Sequence, residues 1–517
     1  MPLNLSVPAT GNRQNIPVET RVDQVSAWLE QISSGYVAEA AQAVGNGLAA
    51  LNRHPLKTGE RLALLETYRA AIDNLLPAMK AQFVIVPLPL PEKNRRVAEL
   101  NRQLYVELAY GYKTVVLEEA DKPSALAVQR AIASLGQVLA ISYETYTPVP
   151  AGMWSEIHQL YQHASRHALL DESVEDGAIP SSPSLAYMQT LLLAVTDPYH
   201  LMQGEVIRIL DYVGRFAHLT ALLTEVPLDD AGGLFLVRLD SDGPPKSLPK
   251  TLNRVDGETA ILFSTLGLAT QLSQQLGGLE AGIFPIDLLL PDAAREQTYR
   301  NLMRRLLKHW GSTAKRHFNR RRQQAVVDLC VGVRGIHYFL NGEQVYGAVA
   351  ASAYFSEGEL DFAGNGKSTG FSPSRWSIVN ESAGGMALTQ LSEISSQVRA
   401  GEIIGLRAEG SQQWHIAVVR WVKSDESNRL DLGIQMVAPY ASAVAVKLSG
   451  ASAQFQPALL LPEIPLLKQA PRILAARGCL QPQREFMLEQ DGQASLHALG
   501  EQLDATVAFE QFAFAPA

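Results

Sequence analysis

Two short stretches decide how this chain reads: Arg316-His317-Phe318-Asn319-Arg320 and, further on, Asn380-Glu381-Ser382-Ala383-Gly384-Gly385. The planar fork of arginine matches the O6 and N7 acceptors on a guanine Hoogsteen edge in a bidentate way that lysine cannot. Guanidinium planes also stack on purine rings through cation–π attraction. Two arginines four positions apart on a lead-in segment can therefore wrap a compact, doubly charged ligand from one side. On the other side, a turn with a small polar residue and a glycine lets backbone N–H groups approach a base or phosphate closely. Arg321 and Arg322 follow Arg320 directly, so any of the three can supply the second arginine.

In this order, the two motifs resemble the paired signatures of the PilZ domain, a small β-barrel that binds the bacterial second messenger cyclic di-GMP. The resemblance runs from Trp310 to Val446. Within it, Trp414-His-Ile-Ala-Val-Val-Arg-Trp421 followed by Leu432-Gly433-Ile434 looks like the late strands of that barrel. The resemblance implies that Arg316 and Arg320 (or Arg321 or Arg322) grip guanine and phosphate. It implies that Asn380 and Ser382 bond their edges and that Gly385 permits the turn. The motifs stand further apart than is usual in the family. The interval holds a Gly/Ser-rich stretch, Gly358 to Phe371, which reads as an inserted surface loop; loop-closure entropy rises slowly enough with length to tolerate it.

At 517 residues the chain exceeds what one hydrophobic core supports, so several domains are expected. The expected fold class is multidomain α + β: a helical N-terminal region, then a PilZ-type antiparallel β-barrel, then a β-rich C-terminal region. The boundaries read as a flexible N-terminus (1–20), a helical domain (21–228), a small mixed α/β segment with a lead-in helix (229–308), the PilZ domain (309–448) and a β-rich C-terminal domain (449–517). In the helical part, Leu62, Leu65, Tyr68, Ile72, Leu75 and Met79 recur at helical steps, as do Val97, Leu100, Leu104 and Leu108, predicting six to eight helices. One more is expected to start at Asp197-Pro198, with Asp197 as N-cap. Val326–Val333, Ile336–Leu340, Ile403–Leu406, Trp414–Trp421 and Leu430–Ile434 read as strands. The C-terminal strands form either a second small barrel or additions to the first.

Composition narrows the function classes. With 47% hydrophobic and 19% charged residues the chain is of ordinary globular type. From Arg295 to Arg322 ten Lys/Arg face the single acid Glu296, but no aromatic platform accompanies them and the net charge is −8, so no nucleic-acid partner is expected. Cys330 and Cys479 read as free buried thiols. No run nears the roughly 18–20 apolar residues of a membrane span, and the N-terminus lacks a secretory signal, so a cytoplasmic protein is expected.

Other chemistry finds little support. His158, His163 and His167 cluster on one predicted helix without a matching third ligand type, so no metal is expected. Gly364-Asn-Gly-Lys-Ser368 resembles a phosphate loop, but Asp361 stands where the leading glycine belongs. Trp154–Tyr161 resembles the opening of a tetratricopeptide repeat with no second copy. No nucleophile elbow or dinucleotide fingerprint occurs, so neither enzyme activity nor a cofactor is expected. The sequence thus predicts a cyclic di-GMP receptor that signals to a protein partner through its helical region. The alternative is an interaction scaffold whose barrel is degenerate and does not bind.

Overall fold

A computed structural model describes residues 3–9, 11, 18–32, 36–119, 123–177, 180–227, 232–249, 251–252, 254–311, 321–346, 371–382, 385–392, 397–425, 427–449, 454–464, 469–482 and 484–517. The chain divides into two compact units. One comprises Met1–Val86 with Leu90–Lys315, the other Pro87–Pro89 with Arg316–Ala517.

Among the described residues of the first unit eight α-helices precede the first strand: α1 (Val22–Ile32), α2 (Val37–Arg53), α3 (Thr58–Lys80), α4 (Glu92–Glu118), α5 (Ala125–Glu144), α6 (Met153–Arg166), α7 (Pro183–Ala194) and α8 (Glu205–Phe216). The predicted stripes form their inner faces, with Leu65, Tyr68, Ile72 and Met79 of α3 and Leu104 and Leu108 of α4 buried. An 18-residue window of α5 has a mean hydropathy of 1.4, long and apolar enough by composition to cross a membrane, but 78% of that window is buried inside the protein. Its scattered Ser and Gln residues break up the apolar run that a sequence scan looks for. The capped start expected at Asp197-Pro198 is also corrected. Asp197 is left-handed (φ 57°) and leads only into a three-residue 3-10 turn, Pro198–His200. The Ser-Pro pair at Ser182-Pro183 takes that role instead, with the Ser182 hydroxyl accepting from the Leu185 N–H at 3.2 Å.

After α8 come β1 (Ala221–Leu223), β2 (Leu234–Arg238), β3 (Lys246–Ser247) and β4 (Ala260–Ser264), an antiparallel sheet in the order β1-β4-β2-β3, followed by α9 (Leu266–Glu280) and α10 (Gln297–Gly311). This mixed segment does not stand apart. Its Phe235, Val237, Ile261, Leu272 and Trp310 belong to the same buried cluster as the helices. Trp310 lies 5.8 Å from Tyr212 of α8, centroid to centroid, and its Nε1 donates to the Leu192 carbonyl. A sheet of such short strands cannot bury its own face, so it packs on the helices. Part of the N-terminal stretch also packs on this unit. Leu5 is buried, and Ser6 N donates to Glu156 Oε1 at 2.7 Å, beside the buried Lys113–Glu156 ion pair.

The second unit opens with β5 (Arg321–Val331) and α11 (Gly332–Leu340), then β6 (Ser374–Ser382), β7 (Gly385–Gln390), β8 (Ile403–Ala408), β9 (His415–Ser424) and β10 (Leu430–Ala438). These strands close a barrel in the order β10-β7-β6-β5-β8-β9. The stretch Ile336–Leu340, expected to be a strand, is helical. Val333, Ile336 and His337 are buried at helical spacing, and Gly332 at φ 79° breaks the strand before them. The remaining strands, β11 (Ser442–Leu448), β12 (Gln456–Leu461), β13 (Arg472–Ala476), β14 (Glu485–Gln490), β15 (Gln493–Ala505) and β16 (Phe509–Pro516), close a second barrel of their own. Helix α11 fills the seam between the barrels. Val333 and Ile336 share a buried cluster with Ile403, Trp414 and Val418 of the first barrel and Leu459, Leu474 and Phe509 of the second. Phe339 stacks on Trp414 at 5.0 Å.

Candidate ligand-binding face

The site begins at the pairing of β5 with β6. Their antiparallel register sets Arg321 opposite Glu381 and Arg322 opposite Asn380. The end of the arginine run and the start of the Asn-x-Ser-x-x-Gly motif are therefore cross-strand neighbours. Arg316 and Arg320 lie outside the described residues, as do Gly364–Ser368 and most of the Gly358–Phe371 stretch. Arg321 is exposed.

The face on which the motif lies depends on a bulge in β6. Ser374, Trp376 and Ile378 of β6 are buried, and strict alternation would carry Asn380 and Ser382 inward with them. A register shift between Ile378 and Asn380 inserts Val379, which is exposed. The extra residue reverses the alternation, so Asn380 and Ser382 leave the face that carries Trp376. Both are half-buried.

The turn that follows is closed by the pairing of Ser382 with Gly385 and by the Ser382 hydroxyl, which donates to the Gly385 carbonyl at 3.1 Å. Gly385 has φ 155°, and a Cβ there would stand 1.9 Å from the Ile434 carbonyl oxygen of β10. Only glycine allows the hairpin to lie this close to the neighbouring strand.

Across β7 and β10 the face stays shallow. Ala387 pairs with Gly433, and a Cβ on Gly433 would lie 1.7 Å from Nε1 of Trp421, so the indole covers that glycine. Beyond it, Arg420 Nε donates to Gln435 Oε1 at 2.7 Å. Small residues, Ala387 and Gly433, thus lie beside an indole and a guanidinium. Trp421, Gly433, Arg420 and Gln435 carry no role in the sequence reading beyond marking strands. The available signal is the mid-strand glycine, which marks a close approach by another group.

The other candidates are structural. His158 is buried, with Nδ1 2.8 Å from the Tyr187 hydroxyl and Nε2 3.0 Å from the Gly243 carbonyl oxygen, and burial holds its pKa below the usual value. His163 packs on His167. Among the described residues no group of three or more His, Cys, Asp and Glu could hold a metal ion. Cys330 is buried, which pushes its thiol up to about 12; Cys479 is half-buried, and both are free.

A closed six-stranded barrel whose first strand brings an arginine run against an Asn-x-Ser-x-x-Gly hairpin is a PilZ-type domain, and the chain belongs to the family of PilZ-domain cyclic di-GMP receptors. Its successive parts match the models for the N-terminal domain of the cyclic-di-GMP receptor FimW (residues 23–227), the middle PilZ domain (residues 234–369 and 362–443) and the FimW C-terminal beta-barrel domain (residues 441–517). The cyclic-di-GMP receptor FimW of Pseudomonas aeruginosa is 28% identical over 582 aligned residues, covering 99% of this chain and 93% of that protein. No solved structure matches the chain.

Proposed function

We propose that this protein binds cyclic di-GMP on the outer face of the first barrel and relays its occupancy to a protein partner through the helical unit, in the cytoplasm. The observation that carries the reading is the β5–β6 register, which brings Arg321 and Arg322 alongside Glu381 and Asn380 next to the glycine-closed turn. Arg316 and Arg320 extend the same run upstream and complete the cationic side of the clamp. Asn380 and Ser382 bond guanine and phosphate edges, and Gly385 keeps the turn low enough for the ligand to lie across it. Contact of the ligand with Arg316–Arg322 is the proposed route of the signal, because a ligand shifts an equilibrium toward the arrangement it binds more tightly.

Exposed apolar residues on the helical unit support the partner part of this reading. Ile283, Phe284, Ile286 and Leu289 are exposed together around a 3-10 turn, Pro285–Leu288. That turn is pinned by Leu290 N donating to the Pro285 carbonyl at 2.8 Å. Clustered exposed apolar groups on a fixed turn mark protein contact. They equally suit the alternative of a scaffold with a non-binding barrel, and calorimetric titration with cyclic di-GMP separates the two. Binding is expected, with Arg320→Ala and Asn380→Ala each weakening it at least about tenfold through loss of a charge-assisted or bidentate contact. Absence of heat from the wild-type protein overturns the receptor reading.

A further inference from the structure

We propose that the second barrel is part of the receptor. Asp504 holds Arg420 beside the Asn380–Gly385 hairpin, and an anionic nucleotide on that face takes Arg420 from Asp504, releasing the second barrel at this edge. The proposal rests on the reading of the hairpin face as the nucleotide site.

The geometry joins the two barrels through one side chain. Arg420 of β9 reaches Asp504 of β15 at 3.7 Å while its Nε stays on Gln435 of β10. Gln435 follows Ile434, the residue whose carbonyl oxygen abuts Gly385. A short chain of contacts therefore runs from the hairpin turn to β15. Both ends of the ion pair are aimed by irregularities. Arg420 is the extra residue where the β9–β10 register shifts at Gly433/Ile434, and Asp504 sits at the shift between Gln502 and Asp504 on β15. Bulges re-aim side chains, and here two of them turn opposite charges toward each other across a domain seam.

The pair is built to be exchanged. At 3.7 Å it is longer than a hydrogen bond, and its side chains remain 40% and 37% exposed. Such pairs contribute little to stability. A phosphate offers the same guanidinium two short, charge-assisted bonds, roughly twice as strong as neutral ones. Asp504 also repels an anion arriving on that face. The exchange leaves the seam intact, because α11 and the shared apolar cluster hold the barrels together away from this rim. What changes is the freedom of the β15 edge around Asp504, the segment a partner of the second barrel would sense.

Titration of the full chain with cyclic di-GMP tests the idea. Asp504→Asn, which keeps the shape and removes the charge, is expected to tighten binding about two- to fivefold. Arg420→Ala is expected to weaken it about tenfold or more. The double variant should bind like Arg420→Ala alone, because Asp504 acts only through Arg420 and the two effects are not additive. Hydrogen exchange should show ligand-induced acceleration over residues 500–506 in the wild type and none in Asp504→Asn. If the wild type binds but Asp504→Asn binds equally or more weakly, the coupling is wrong and the hairpin site stands. If the wild type gives no heat, the nucleotide reading fails first and takes the coupling with it.

Discussion

At the scale of single residues, Gly385 has little freedom on the candidate face. An alanine Cβ would need to displace the Ile434 backbone from 1.9 Å, and backbone yields less readily than the tip of a side chain. Gly385→Ala is expected to cost about 1–3 kcal/mol of stability in the barrel unit and to weaken cyclic di-GMP binding at least about tenfold, read by urea unfolding and by calorimetry. A variant with wild-type stability and affinity would show that the turn does not depend on the close approach. His337 sets a second residue-level expectation. It is 2% exposed, its Nδ1 has no partner, and burial lowers its pKa from 6.5 to about 4 despite a backbone hydrogen bond at Val444. The unfolded chain therefore takes up this proton at a higher pH than the folded one. The stability tied to neutral His337 is fully present above pH 6.5 and is lost as pH falls toward 4, by about 3 kcal/mol at full protonation. Thermal melts between pH 7.5 and 4 should show the barrel transition falling more steeply in the wild type than in His337→Leu, which has nothing to protonate. Parallel slopes would exclude His337 as the cause.

At the scale of elements, the β6–β7 hairpin is legible because it depends on local chemistry: a glycine, Gly385, where backbone must pass close by. The helices are legible for a similar reason, since stripes such as Leu65, Tyr68, Ile72 and Met79 fix which face is buried before any tertiary contact forms. What escapes is set by register and by neighbours. Val379 is one residue among many, yet as a bulge it decides which way Asn380 and Ser382 face. Ile336–Leu340 is as rich in β-branched and aromatic residues as a strand. It becomes α11 because Gly332 turns the chain at φ 79° and the seam between two barrels accepts a helix face of Val333, Ile336 and His337. Trp421 and Arg420 gain their places only once β9 lies beside β10. The junction is itself testable. Gly332→Ala places a Cβ in a left-handed conformation at about 1–2 kcal/mol, and it should lower the urea midpoint of the barrel unit while leaving the helical transition unchanged. A shift in the helical transition instead would show that α11 does not belong to the barrel unit's cooperative core.

At the scale of the whole molecule, the chain is two compact units with separate buried cores, one of helices closed by a small sheet and one of two barrels joined through α11. The extent of the helical core is not legible from composition. Trp310, which the sequence groups with the barrel, is fully buried within the helical cluster, and the same cluster takes in Leu5 near the N-terminus. Separate cores imply separate unfolding transitions, and a ligand bound to one unit stabilises that unit by mass action. At a free concentration near 100 times Kd the gain is about 2.7 kcal/mol, which for a unit of this size raises its midpoint by roughly 5–11 °C. Differential scanning calorimetry with saturating cyclic di-GMP should therefore move one transition upward and leave the other in place. Gly385→Ala identifies the moving transition, because it lowers the midpoint of the barrel unit alone. A ligand that moved only the transition untouched by Gly385→Ala would put the nucleotide on the helical unit and overturn the binding role proposed for Arg316, Arg320, Asn380 and Ser382.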